Sequence, residues 1–365
     1  MLRWPISGFV PQDRLAALAA GATLPSRAQG AALLADIVGF TPLTNGLVDA
    51  LGEERGAEEV ALALDGVFAA LVEPVEELDG SVVAFAGDAL ICWFEGDDGL
   101  AAIAAALGMR QALEEFRPGS GVAGVAVPRL GVRVAVAAGE ASRLLLGDPT
   151  VQVMEALAGA PVDALAAAGH VARPGEVVVD ERTAEALADL VELAGWRVAG
   201  GGRPCAVVSR LLVAPPASSA AEVEGVPLDE LAPWVPRVVF ERLSGNEEEL
   251  LPGIRPAVAL FLAVDGFDLA TTADGAGRLS RYVAHVQSVL TRYGGVLVDV
   301  TTGDSDKGVY LFGAFGVPVA HGDDLLRSVS VAEELKRPWN DSGAEGVRIG
   351  LAAVAVYAGV YGAPS

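Results

Sequence analysis

The sequence predicts an α+β protein built from two pseudo-symmetric copies of one unit. Three observations carry this. A strand–helix–hairpin–helix–strand order occurs twice along the 365 residues. Gly39-Phe40 lines up with Gly266-Phe267, and Val132-Arg133-Val134 lines up with Val347-Arg348-Ile349. In the first copy two carboxylates, Asp36 and Asp88, each lie where an apolar β-run stops.

The first copy opens with a strand, Ala31–Ala35. Thr41-Pro42 supplies an N-cap followed by proline at the first helical position. Helical patterning runs from about Leu43 to Leu78, with breaks near Gly52–Gly56 and at Pro74. A hairpin follows, with arms Ser81–Phe85 and Leu90–Phe94 and Gly87-Asp88 at its tip. An Ala-rich helix at 98–116 leads to a strand, Leu130–Ala138. A helix-like stretch at 160–168, a strand at Glu176–Val179, a helix at 183–192 and strands near 196–199 and 205–212 close the unit. Pro215–Glu224 is rich in Ala, Ser and Pro and reads as a linker, and 225–250 as a short helical bridge. The second copy has a strand at Ala257–Val264, a helix at 276–292, a hairpin at 296–315, a helix at 323–336 and a strand at Val347–Val356. The expected organisation is an N-terminal segment 1–27, a first copy 28–213, a connection 214–250 and a second copy 251–365. By the internal match the second copy lacks the equivalent of roughly 151–212, and it is expected to be C-terminally incomplete.

Composition narrows the function classes. Hydrophobic residues make up 52% and charged residues 20%, enough apolar content for real cores. A formal charge of −23 leaves no basic stripe for nucleic acid or an anionic membrane. An anionic nucleotide would need a metal or a local positive field to dock. The two cysteines, Cys92 and Cys205, lack metal-ligand spacing and suit a reducing, cytoplasmic setting. His170, His285 and His321 are scattered and suggest no zinc site. No run of 18 apolar residues suggests a transmembrane helix, and Met-Leu-Arg-Trp-Pro lacks the apolar stretch of a signal peptide.

Asp36 and Asp88 are the candidate chemistry. Two carboxylates delivered by neighbouring strand ends suit hard divalent cations. Mg²⁺ takes one or two carboxylates and leaves other positions to water and phosphate. A pair of such ions clamps the attacking and leaving oxygens of a phosphoryl transfer. Asp304 and Asp306 read as turn residues, Lys307 as a solvated turn lysine, and Arg133 and Arg348 as partners of surface acids. The runs Glu53–Glu59 and Glu247–Glu249 read as solvated faces.

With these residues in hand, the chain resembles the class III nucleotidyl cyclases, in particular the tandem soluble-type branch. The matching residues are Ala35-Asp36-Ile37-Val38-Gly39-Phe40-Thr41, Arg55-Gly56-Ala57-Glu58-Glu59, Phe85-Ala86-Gly87-Asp88-Ala89-Leu90, Arg292-Tyr293-Gly294-Gly295, Asp306-Lys307-Gly308 and Ala314-Phe315-Gly316-Val317-Pro318. The resemblance implies a ferredoxin-like βαββαβ palm in each copy and pairing of the two palms within the chain. It also implies two metal ions, Mg²⁺ or Mn²⁺, on Asp36, Asp88 and the Ile37 carbonyl. The turn Val38, Gly39, Phe40 and Thr41, with Gly87 opposite, would bind the β- and γ-phosphates. The implied reaction converts ATP to cyclic AMP and pyrophosphate, with GTP left open.

The same resemblance marks departures. Ala263 stands where Asp36 stands in the first copy. The base-reading Lys of the family falls near Asp299–Thr301, where there is no Lys. Asp163 and Ala167 stand for the ribose-orienting Asn and the phosphorus-stabilising Arg, and the second copy has no counterpart segment. The Lys and Arg that bind bicarbonate in some members are Ala84 and Ala166 here, so no bicarbonate response is implied. The expectation is a weak or incomplete cyclase, or alternatively a nucleotide-binding regulatory module. Exposed strand edges make self-association a further expectation.

Overall fold

The computed structural model describes residues 6–116, 130–215, 225–244, 253–267, 269, 274–302, 308–339 and 344–359. Most of the linker, the run Glu247–Glu249, and Asp304, Asp306 and Lys307 lie outside these residues.

The N-terminal segment holds α1 (Gln12–Ala19), a helix not expected from the sequence. It is tied down where the Asp13 N–H donates to Ser81 Oγ at 2.9 Å. Strand β1 (Arg27–Val38) precedes helices α2 (Phe40–Leu51) and α3 (Glu53–Glu76). Gly52, at φ 83°, separates the two helices. The expected break at Pro74 does not occur: α3 continues through Pro74 to Glu76, although the proline gives up the N–H bond to the carbonyl four residues back. Its ring packs against Gly108, where a Cβ would come within 3.0 Å. The two-residue turn Gly87-Asp88 joins β2 (Ser81–Ala86) and β3 (Ala89–Glu95). Helix α4 (Leu100–Glu115) starts where the Asp97 carboxylate accepts from the Ala101 and Ala102 N–H groups at 3.1 and 3.0 Å. Its buried alanines let it lie close to the sheet.

Strand β4 (Gly131–Leu146) runs eight residues past the expected end at Ala138 and returns as β5 (Met154–Ala158). Burial of a charged pair hid this hairpin from pattern reading. Arg143 Nε donates to Glu155 Oε1 at 2.7 Å, and both side chains are fully buried. The copy ends with α5 (Ala160–Val171), β6 (Val177–Asp180), α6 (Glu181–Ala186), β7 (Val191–Val198) and β8 (Pro204–Leu211). The helix expected at 183–192 stops at Ala186. Residues from Val191 onward are drawn into pairing with β8, an example of tertiary pairing overriding local pattern.

Short helices α7 (Leu228–Leu231) and α8 (Arg237–Ser244) precede the second copy. That copy comprises β9 (Gly253–Asp265), α9 (Gly275–Arg292), β10 (Val296–Thr302), β11 (Val309–Phe315), α10 (Asp324–Leu335) and β12 (Glu345–Ala358).

The repeat is explicit in the sheets. Among the described residues one sheet has eight strands, in the order β2-β3-β1-β4-β6-β8-β7 with β5 also on β4, and the other has the order β10-β11-β9-β12. The run β2-β3-β1-β4 and the run β10-β11-β9-β12 share one topology, that of a βαββαβ palm. The first strand is central, and the last strand of each palm lies directly beside it.

The chain divides into two compact units. One holds the described residues of Pro11–Ala141 and Gly159–Glu224. The other holds those of Met1–Val10, Ser142–Ala158 and Gly225–Val360. Residues 142–158, part of the span 28–213 read from sequence as the first copy, therefore pack with the second copy. Leu144, Leu146, Ala156 and Ala158 join its core with Leu260, Leu262, Val286 and Leu290. Gln287, almost fully buried on α9, holds the tip of this arm. Its Oε1 accepts from the Asp148 N–H and its Nε2 donates to the Gln152 carbonyl, both at 2.8 Å.

Candidate active site

In the palm order the β2–β3 turn lies beside the end of β1, and the start of β4 lies on the other side of β1. Asp36, third from the end of β1, faces Ala89 in the register with β3, so Asp88 is the next residue along. The Ile37 N–H donates to the Asp88 carbonyl at 3.1 Å and ties the turn to β1. Gly87 turns the chain there at φ 67°, a left-handed conformation that favours glycine. The buried Ile37 side chain anchors the strand end in the core.

After Val38, Gly39 adopts φ 94° and serves as the N-cap of α2. The helix thus begins at Phe40, two residues before the start expected from Thr41-Pro42, because the left-handed glycine ends the strand abruptly. Thr41 lies within the first turn rather than at the cap. The first-turn N–H groups of a helix have no carbonyl behind them and suit an anion. Phe40, packed against the core, fixes this turn.

Arg133, third residue of β4, brings a cation into the group. Its Nε donates to Asp36 Oδ2 in an ion pair whose side chains are 44% and 23% exposed. The partner expected for this arginine is a surface acid; in the structure its partner is the candidate metal ligand. The palm order held the signal, since it sets the strand carrying the repeated Val-Arg pair next to β1. Burial holds the Asp88 carboxyl above the usual carboxylate range, and the negative Asp36 adds to this. Its own backbone N–H and the Arg133 guanidinium pull the other way.

This electrostatic arrangement fits a divalent cation. Two carboxylates feel each other's charge at one sheet end, and a cation between them would relieve both the repulsion and the cost of burial. Among the described residues no group of three or more His, Cys, Asp or Glu side chains is placed to hold a metal. The remaining donors would be the Ile37 carbonyl, water and phosphate, as Mg²⁺ prefers.

The second copy departs at the matching places. Ala263 faces Tyr310, so Val309 stands where Asp88 stands in the first copy, and neither carboxylate is present. Arg348, the counterpart of Arg133, pairs instead with Asp265, two residues further along, at 2.6 and 3.1 Å. This is the surface-acid pairing expected for Arg348. Asp299, where the resemblance places the base-reading Lys, accepts from Thr301 Oγ1 at 2.7 Å, and burial raises its carboxyl pKa. In the first copy Asp163 lies in the first turn of α5 and Ala167 is buried on the same helix.

No family model matches the chain. A class III adenylyl cyclase-like ATP-binding protein from Pseudomonas aeruginosa aligns over 99% of this chain and 85% of its own, with a TM-score of 0.57 and 14% identity. The guanylyl cyclase Cya2 aligns over 53% of this chain and 98% of its own, with a TM-score of 0.45 and 24% identity. Adenylate cyclase type 10 of Oryctolagus cuniculus is 29% identical over 154 residues, 41% of this chain but only 9% of that protein's length. The chain has the palm fold of the class III adenylyl and guanylyl cyclases. Among the described residues no helix is long and apolar enough to cross a membrane.

Proposed function

We propose that this chain is a class III nucleotidyl cyclase whose first copy binds two divalent cations, Mg²⁺ or Mn²⁺, and converts ATP to cyclic AMP and pyrophosphate. The observation that carries the reading is the juxtaposition of Asp36 and Asp88 at one end of the sheet, beside the first turn of α2. Asp36, Asp88 and the Ile37 carbonyl would hold the ions. When bound, the cations would acidify the ribose 3′-hydroxyl and neutralise charge developing on the phosphates. The chain's own part is positioning. N–H groups from Val38 to Thr41 would orient the β- and γ-phosphates, and Gly87 adds no side chain of its own beside Asp88. The reading includes pairing of the two copies within the chain.

Turnover is expected to be slow. In the family the ribose-orienting Asn and phosphorus-stabilising Arg come from the second copy, and residues 251–365 hold no counterpart of that segment; in the first copy Asp163 and Ala167 occupy those places. Loss of one donor to the developing charge costs about 10²–10³ in rate. The description of the Pseudomonas aeruginosa relative as ATP-binding supports a second reading, metal-dependent ATP binding without cyclisation.

The test is cyclic AMP and cyclic GMP formation with Mn²⁺ and ATP or GTP, beside Asp36→Asn. Slow product that disappears in the variant is the expected result. Metal-dependent nucleotide binding with no product would replace this reading with the second. Absence of both binding and product would overturn each.

A further inference from the structure

Resting on the metal reading of Asp36 and Asp88, we propose that Arg133 is a latch on the metal site. Its guanidinium is the counter-ion of Asp36 in the metal-free chain, and a divalent cation binds by displacing it. Arg133 is fixed by its place on β4, the strand next to β1, and its ion pair takes up Asp36 Oδ2, an oxygen a cation would need. The pair keeps two neighbouring carboxylates from facing each other unneutralised. The second copy keeps the arginine without the site. Arg348 spans to Asp265 with two hydrogen bonds, and Ala263 and Val309 occupy the carboxylate positions. The same strand position thus holds a carboxylate in both copies, but only in the first is that carboxylate a candidate ligand.

Both partners in the first copy are partly exposed, so the competition is modest: displacing such a pair costs a factor of about two to five in affinity. The experiment titrates the purified full chain with Mn²⁺ alone, following free Mn²⁺ by electron paramagnetic resonance, and records thermal midpoints with and without the metal. Arg133→Gln is expected to bind Mn²⁺ about two- to fivefold more tightly than the parent. Its metal-free midpoint should fall below the parent's, and saturating Mn²⁺ should close that gap. Arg133→Lys, a second variant in case the first folds poorly, should lie between. Arg348→Gln loses the same charge at the matching position and should leave Mn²⁺ affinity unchanged.

Equal or weaker binding by Arg133→Gln overturns the latch, and so does an equal gain in Arg348→Gln, which would be a general charge effect. Parent binding that is lost in Asp36→Asn but unaltered in Arg133→Gln defeats the latch alone. No Mn²⁺ binding by either parent or Arg133→Gln defeats the metal reading, and the latch with it.

Discussion

Gln287→Leu should destabilise the second unit by about 2 kcal/mol, because it removes both hydrogen bonds that hold the tip of the β4–β5 arm while keeping the side-chain volume. In the parent, Oε1 accepts from the Asp148 N–H and Nε2 donates to the Gln152 carbonyl, each at 2.8 Å, from a side chain that is 1% exposed. Each backbone group left without a partner costs about 1–3 kcal/mol when fully buried. Asp148 and Gln152 are only half-buried, so water can replace part of what is lost, and the sum falls to about 2 kcal/mol. For a unit of this size that is a drop of roughly 4–8 °C in the midpoint of thermal unfolding. Urea unfolding would give the free energy, and hydrogen exchange at the Asp148 amide would localise it. A loss under about 0.5 kcal/mol, with unchanged exchange at Asp148, would refute the claim that this glutamine clamps the arm.

Gly30→Ala should cost about 2–3 kcal/mol by overpacking, since the new Cβ would overlap the Phe94 carbonyl oxygen and lie 2.5 Å from the buried Trp93 ring; chemical denaturation checks this. Arg143→Met should cost about 3–5 kcal/mol by leaving Glu155 buried without its ion pair, and adding Glu155→Leu should recover most of it, as a double-mutant cycle in urea would show. The Arg197 guanidinium holds the Glu176 carboxyl below its usual range, so their bond stabilises the fold above the ordinary glutamate pKa and fades as pH falls through the depressed value. Glu176→Gln should therefore lower stability by up to about 1 kcal/mol near pH 7 and make little difference well below about pH 4.

Much of the palm was legible because its signals are local. Apolar runs ending in Asp36 and at the Gly87-Asp88 turn give strand ends, and the repeated Gly-Phe and Val-Arg pairs give the second copy. What escaped depends on pairing between distant segments. Arg143 and Glu155 interrupt the apolar pattern of the β4–β5 arm, yet they neutralise each other in its interior. Val191 and Glu192 read as the end of a helix until β8 supplies a partner strand. Arg133 could be read as an ordinary surface arginine, because only the strand order sets it beside Asp36. Thr41-Pro42 is a stronger cap signal in sequence than Gly39, yet the left-handed backbone of Gly39 ends the strand and starts α2 two residues earlier.

On the proposed function, Asp36 and Asp88 together hold divalent metal. The most direct test is anomalous diffraction from crystals grown with Mn²⁺ and an ATP analogue that cannot cyclise. Manganese peaks bounded by the Asp36 and Asp88 carboxylates are expected, with the Arg133 guanidinium displaced from Asp36. Manganese bound only elsewhere, or no peak at these carboxylates while Arg133 stays paired with Asp36, would contradict this reading.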